Sequence, residues 1–116
     1  MLALNAYALE AREFSGSFYE WCRNSGHRLA WSATQKKLAM SESETVMSVE
    51  RLRAHRVLPV DWRVNSSRQV LMQAHLKISS GSLAPRVYFY DDTSGPTGKV
   101  HIGFVGPHEF MPTKRS

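Results

Sequence analysis

A chain of 116 residues suits one domain that buries a core without a disulfide or metal staple. With 42% apolar and 22% charged residues it is too apolar for disorder, and no run approaches the ~18 apolar residues of a membrane-spanning helix. The net charge of +5 favours an anionic partner without requiring one.

Cys22 is the only cysteine, which excludes an internal disulfide and fits a reducing compartment. Its place near the end of a predicted helix marks it as a small buried side chain rather than a nucleophile. Glu10, Arg12 and Glu13 interrupt what would have to be the apolar stretch of a secretory signal, so a cytoplasmic location is expected. All six acidic residues up to position 58 are Glu, whereas Asp61, Asp91 and Asp92 stand beside a single Glu after it. Glu favours helices and Asp favours caps and turns, so the chain changes character near its middle.

Tyr7, Ala11, Phe14, Phe18, Trp21 and Cys22 recur at spacings of three and four and predict a first helix with one apolar face. Asn5 is its expected cap and Asn24-Ser25-Gly26 its stop, with Gly16 as a weak point or kink. Ser32 followed by Gln35 has the form of a capping box and predicts a short helix over residues 33–40. Ser41 followed by Glu44 repeats the signature and opens a helix to about His55, with Val46, Val49 and Leu52 inward. Of Trp31 and Trp62, at least one is expected in the core.

The period then changes to two. Leu58, Val60, Trp62 and Val64 suggest a first strand, which Pro59 places at an edge. Val70, Met72, Ala74, Leu76 and Ile78 alternate with polar neighbours in a half-buried strand. Val87 and Phe89, then Val100, Ile102 and Phe104, mark two more, separated by segments rich in turn residues. The expected class is α+β, with two or three N-terminal helices packed on one face of a four-stranded antiparallel meander. Residues 1–111 form the single domain and 112–116 a basic C-terminal tail.

Matching apolar faces pairs Val87 with Ile102, Phe89 with Val100 and Leu76 with Phe89. Two rows then cross the sheet away from the helices: Lys77–Tyr88–His101 and His75–Tyr90–Lys99, with Arg86 and Arg63 on the same side. Such a face has what RNA recognition uses, cations for phosphates and phenol rings for unpaired bases. Lys77, Arg86, Tyr88, Tyr90, Lys99 and His108 are the expected nucleic-acid contacts. If the domain is an enzyme, the same groups suit metal-independent RNA cleavage, with His75 and His101 as the acid–base pair. The same composition also suits a polar sheet face turned to water. The alternative is a protein-interaction module, an inhibitor or accessory subunit, docking an acidic partner through the Tyr/Arg-rich face or an edge strand.

Other motifs carry less. Residues 95–99 look like the end of a phosphate-binding loop, but Val100 onward reads as a strand, so a glycine-rich hairpin loop is expected. Asp91 and Asp92 lack metal-ligand spacing, and Asp91 is expected to organise the loop with Thr93; no metal or cofactor is expected. Gly103 marks a bulge or close approach, and His108 falls at the rim of the basic face. The closing hairpin, with Arg86-Val87-Tyr88-Phe89-Tyr90-Asp91 followed by Lys99-Val100-His101-Ile102-Gly103-Phe104, resembles that of small ribonuclease toxins of the RelE kind. The likeness is confined to that hairpin, with no diagnostic motif, and assigns no family.

Overall fold

Gly16 divides the first predicted helix in two. In the computed structural model, which describes residues 2–11, 13–14, 16–34, 37–78 and 84–114, α1 spans Leu2–Glu10 and α2 spans Phe18–Asn24. Gly16 sits between them at φ +142°, a conformation L side chains rarely adopt. The chain then restarts on a complete capping box: Ser17 Oγ accepts from Glu20 N, and Glu20 Oε1 accepts from Ser17 N. Trp21 Nε1 donates to Glu10 Oε1 at 3.1 Å and ties the two helices together.

The expected helix over 33–40 gives way to a strand. Residues 35 and 36 lie outside the described ones, and Leu38–Ala39 form β1. Lys37 O accepts from Lys77 N at 2.8 Å and from Trp31 Nε1 at 2.8 Å, while Leu38 buries opposite Leu76. A sheet edge with an apolar slot outweighs weak local helix propensity. The next helix is capped by Ser43, whose Oγ accepts from Val46 N at 3.2 Å, rather than by Ser41. Val49 is extended and splits it into α3 (Glu44–Ser48) and α4 (Glu50–Ala54), with Val46 and Leu52 buried as expected.

Four antiparallel strands follow the order β1-β4-β5-β6, where β4 is His75–Lys77, β5 Arg86–Asp91 and β6 Val100–Gly106. The α+β class and the four-stranded antiparallel sheet agree with expectation. The strands recruited differ: Val57–Pro59 (β2) and Gln69–Leu71 (β3) pair with each other as a separate ribbon. The strand predicted across residues 70–78 is interrupted at 72–74, where Met72 N donates to Arg56 O and Ala74 O accepts from Phe89 N. That interruption breaks the alternation, so Met72 and Leu76 bury in different cores.

Two cores result. On one face Tyr7, Phe18 and Trp21 pack on Leu38, Leu76, Val87 and Phe89, with edge-to-face ring pairs Tyr7–Phe18 and Phe18–Phe89 at 5.4 Å each. Trp31 is half-buried at its margin and Trp62 is exposed. On the other face Leu58, Met72, Tyr88 and Met111 form a second cluster. The ribbon and the C-terminal segment therefore cover much of the face that an uncovered sheet would show to water. Gly103 is skipped in the pairing of β5 with β6, a bulge that lets Phe104 face Tyr88 on the second-core side. An added Cβ at Gly103 would lie 2.8 Å from Leu58 Cβ, so the close approach is real as well. Among the described residues no helix is long and apolar enough to cross a membrane.

Candidate functional site

Strand register decides which polar side chains meet. β4 and β5 pair His75 with Tyr88 and Lys77 with Arg86, two residues away from the expected register. Leu76 faces Val87 instead of Phe89; both are apolar, so a facing rule alone does not separate the two alignments.

The His75 ring lies flat on Tyr88, centroids 4.4 Å apart and planes 17° apart, and His75 is buried. His75 Nδ1 is 2.8 Å from Gln73 O. A carbonyl only accepts, so Nδ1 carries a proton and the neutral ring keeps its lone pair on Nε2. Burial holds the His75 pKa below its ordinary value, and Lys77 and Arg86 act the same way, against the Gln73 carbonyl and Glu42.

Beneath this pair sits an ion pair. Glu42 Oε2 accepts from Tyr88 OH at 2.7 Å and from Arg56 Nε. Glu42 Oε1 stands 4.0 Å from His75 Nδ1, and Gln73 Oε1 fixes the Glu42 backbone N–H at 3.2 Å. The Arg56 side chain is 0% exposed and that of Glu42 6%. Arg56 Nη1 donates to Leu52 O at 3.1 Å and Pro112 O at 2.7 Å, and Nη2 donates to Met111 O at 3.1 Å. Arg56 thereby holds the start of the predicted tail onto the fold. Burial first, and then the Glu42 carboxylate, push the Tyr88 phenol well above its usual range, so Tyr88 remains a donor.

After β6, Pro107 leads into a short 3-10 helix, His108–Phe110. His108 Nδ1 is buried without a hydrogen-bond partner among the described residues. Burial holds its pKa low; Arg86, Arg56 and Lys77 add to this and Glu42 opposes it. An orphaned buried nitrogen is uncommon in a native structure and costs about 1–3 kcal/mol.

Glu42, His75, Lys77, Arg86, Tyr88 and His108 converge on one cleft of about 320 Å³. The structure thus brings together His75, Lys77, Arg86, Tyr88 and His108 of the residues singled out in the sequence. It places Tyr90, His101 and Lys99 elsewhere. His101 pairs with Tyr90 across β5 and β6, and its Nε2 is 2.8 Å from Thr97 Oγ1. Thr97 gives its one hydroxyl proton to Asp92 Oδ2 at 2.6 Å, so His101 is the donor to Thr97 and clasps the hairpin loop. With β5 between them and an offset of two residues, His75 and His101 stand roughly 12 Å apart by strand spacing. Lys99 is exposed on a groove with Leu4, Leu9 and Ile102 on the α1 side.

The remaining features are structural. Asp91 Oδ1 accepts from Thr93 N at 3.0 Å and Thr93 Oγ1 at 2.6 Å, the loop organisation expected from sequence. Residues 95–99 lie in the hairpin loop between β5 and β6, as expected. Burial raises the Cys22 thiol pKa, which suits an inert side chain. Among the described residues no group of three or more His, Cys, Asp or Glu side chains is placed to hold a metal ion.

No protein-family model, curated protein or solved structure matches the chain. Glu42 and Arg56 are the site residues that sequence reasoning missed. One signal was present: Arg56 continues the inward stripe of Val46, Val49 and Leu52 at helical spacing. A cation on an apolar stripe calls for a buried carboxylate, although nothing in the spacing points to Glu42.

Proposed function

We propose that this domain binds single-stranded nucleic acid, RNA in the first instance, by seating a backbone phosphate in the cleft above Glu42. The observation that carries the reading is the convergence of Lys77, Arg86 and His108 on that cleft. Arg86 Nη1 donates to Ala84 O and Pro85 O at 2.8 and 3.1 Å, which orients its guanidinium at the strand end. A guanidinium has five donors in a fixed fork, a geometry suited to phosphate. The net charge of +5 supplies long-range attraction of the same sign. Tyr88 lies under the ribbon, so its part here is to hold Glu42 rather than to stack on a base.

Titration of a labelled single-stranded RNA at two salt concentrations tests this. Binding should weaken steeply with salt, with a slope near −0.7 per phosphate neutralised on a single strand. Lys77→Ala and Arg86→Ala should each flatten that slope. If the doubly substituted protein binds as wild type does, the cleft is not the phosphate site.

A second reading, a protein-interaction module, is favoured by β6. It is an edge strand of the sheet, and Ile102 and Val105 on it are exposed. Weak, salt-insensitive RNA binding together with a stable complex that Val105→Lys abolishes would move the conclusion to this reading.

A further inference from the structure

Two imidazoles on different segments face the same cleft. Both line it: His75 holds Gln73 O through Nδ1, and His108 Nδ1 is buried without a hydrogen-bond partner among the described residues. His75 comes from β4 and His108 from the turn after β6, so they approach from different parts of the chain. Lys77, Arg86, Glu42 and Tyr88 line the same cleft.

Resting on the phosphate reading above, we propose that the cleft cleaves RNA by transphosphorylation, with His75 as general base and His108 as general acid. The Nδ1 hydrogen bond to Gln73 O leaves the His75 lone pair on Nε2, where it accepts the proton of a ribose 2′-hydroxyl. The 2′-oxygen then bonds to phosphorus and the bond from phosphorus to the 5′-oxygen breaks. The leaving oxygen takes its proton from a protonated His108. The products are a 2′,3′-cyclic phosphate and a 5′-hydroxyl end, and the two rings exchange protons with water to reset. No oxidant, reductant or metal enters the balance. Lys77 and Arg86 stabilise the charge that grows on the non-bridging oxygens.

Charging His108 is the demanding step. Burial first, and then Arg86, Arg56 and Lys77, oppose it, and Glu42 favours it. A docked phosphate works against these by adding negative charge beside the ring. His75 faces Glu42, Lys77, Arg86 and the Tyr88 ring, and its burial keeps it neutral and able to accept a proton. Phosphate thus favours the charged form of His108, while burial favours the neutral form of His75. This assignment replaces His101 with His108, since His101 is committed to Thr97 on the far side of β5.

The test uses the full chain, an end-labelled single-stranded RNA and a chelator, across pH 5 to 8. Expected products end in a 2′,3′-cyclic phosphate, and an all-2′-deoxy oligonucleotide is bound but left intact. His75→Ala and His108→Ala each lose at least about a hundredfold in rate, the size of a general acid–base contribution, and His101→Ala cuts as wild type does. Should His108→Ala unfold, as a thermal melt would show, His108→Gln keeps the side-chain bulk and the oligonucleotide comparison stands on wild type alone. RNA bound with salt dependence yet intact at every pH overturns cleavage and leaves the binding reading in place. Equal cutting by wild type and both histidine variants overturns the assignment. No RNA binding at low salt overturns both readings together.

Discussion

Removing the cation from the buried pair should unfasten the second core. In Arg56→Met, Glu42 keeps its burial but loses the Nε donor, and the carbonyls of Leu52, Met111 and Pro112 lose theirs. Breaking a buried ion pair from one side costs about 3–5 kcal/mol, mainly because the remaining charge is left uncompensated. That is a large part of the roughly 5–15 kcal/mol that holds a domain of this size. At about 2.1 cal/mol/K per residue the unfolding entropy near the midpoint is roughly 240 cal/mol/K, so Tm should fall by about 12–20 °C. Circular dichroism with heating, and urea titration at pH 7, give the value. A companion variant, Glu42→Leu, should cost a similar amount. The double variant should cost less than the two singles together by at least about 1 kcal/mol, because no charge is then left buried alone. A fall in Tm below about 4 °C for Arg56→Met, or strict additivity in the double variant, refutes the reasoning. The consequence for function follows from Met111 and Pro112: loss of the Arg56 anchor frees the segment that follows His108, so cleft function should fall further than stability alone predicts.

Three further outcomes are expected. The pKa of His75 is lower folded than unfolded, so its stabilisation is complete above the ordinary value of 6.5 and is lost as pH falls through the lowered folded value; stability curves between pH 7 and 5 should be flatter for His75→Asn than for wild type, and equal slopes would reject the account. Tyr7 is buried with its phenol on Asp91 and Thr93, and burial first, then Asp91, push its pKa up to about 12; Tyr7→Phe should cost about 1–3 kcal/mol in urea titration, with the β5–β6 loop gaining hydrogen exchange. A Cβ at Gly95 would stand 2.0 Å from Asp92 Oδ1, while Asp92 Oδ2 holds Thr97 N at 2.9 Å; Gly95→Ala should cost about 1–3 kcal/mol and release His101 as Thr97 shifts, visible as a change in its imidazole resonances.

Period and composition carried the class of this fold. Alternation placed Val87, Phe89 and Val100 toward the helices, though Ile102 is exposed and Phe104 joins the second core, and the aromatic stripe of Tyr7, Phe18 and Trp21 is indeed core. Local chemistry was equally legible where it is self-contained: Gly16 as a weak point, the Asp91–Thr93 loop, the bulge at Gly103. Each depends on contacts within a few residues or on one residue's conformational range, which spacing encodes directly.

What spans the chain was not encoded in that way. A register shift of two residues leaves every inward side chain inward, so packing of Leu76 on Val87 rather than Phe89 had to decide that His75 meets Tyr88. Whether the outer face met water depended on where the β2–β3 ribbon and Met111 came to rest, and they cover Tyr88. Glu42 and Arg56 lie 14 positions apart, and Arg56 and Pro112 56. The sequence by itself determined a basic α+β domain with polar, His-bearing strands; the tertiary structure alone decided that five of those polar residues close one cleft over a buried carboxylate, because desolvation makes a buried charge find its partner wherever in the chain it stands.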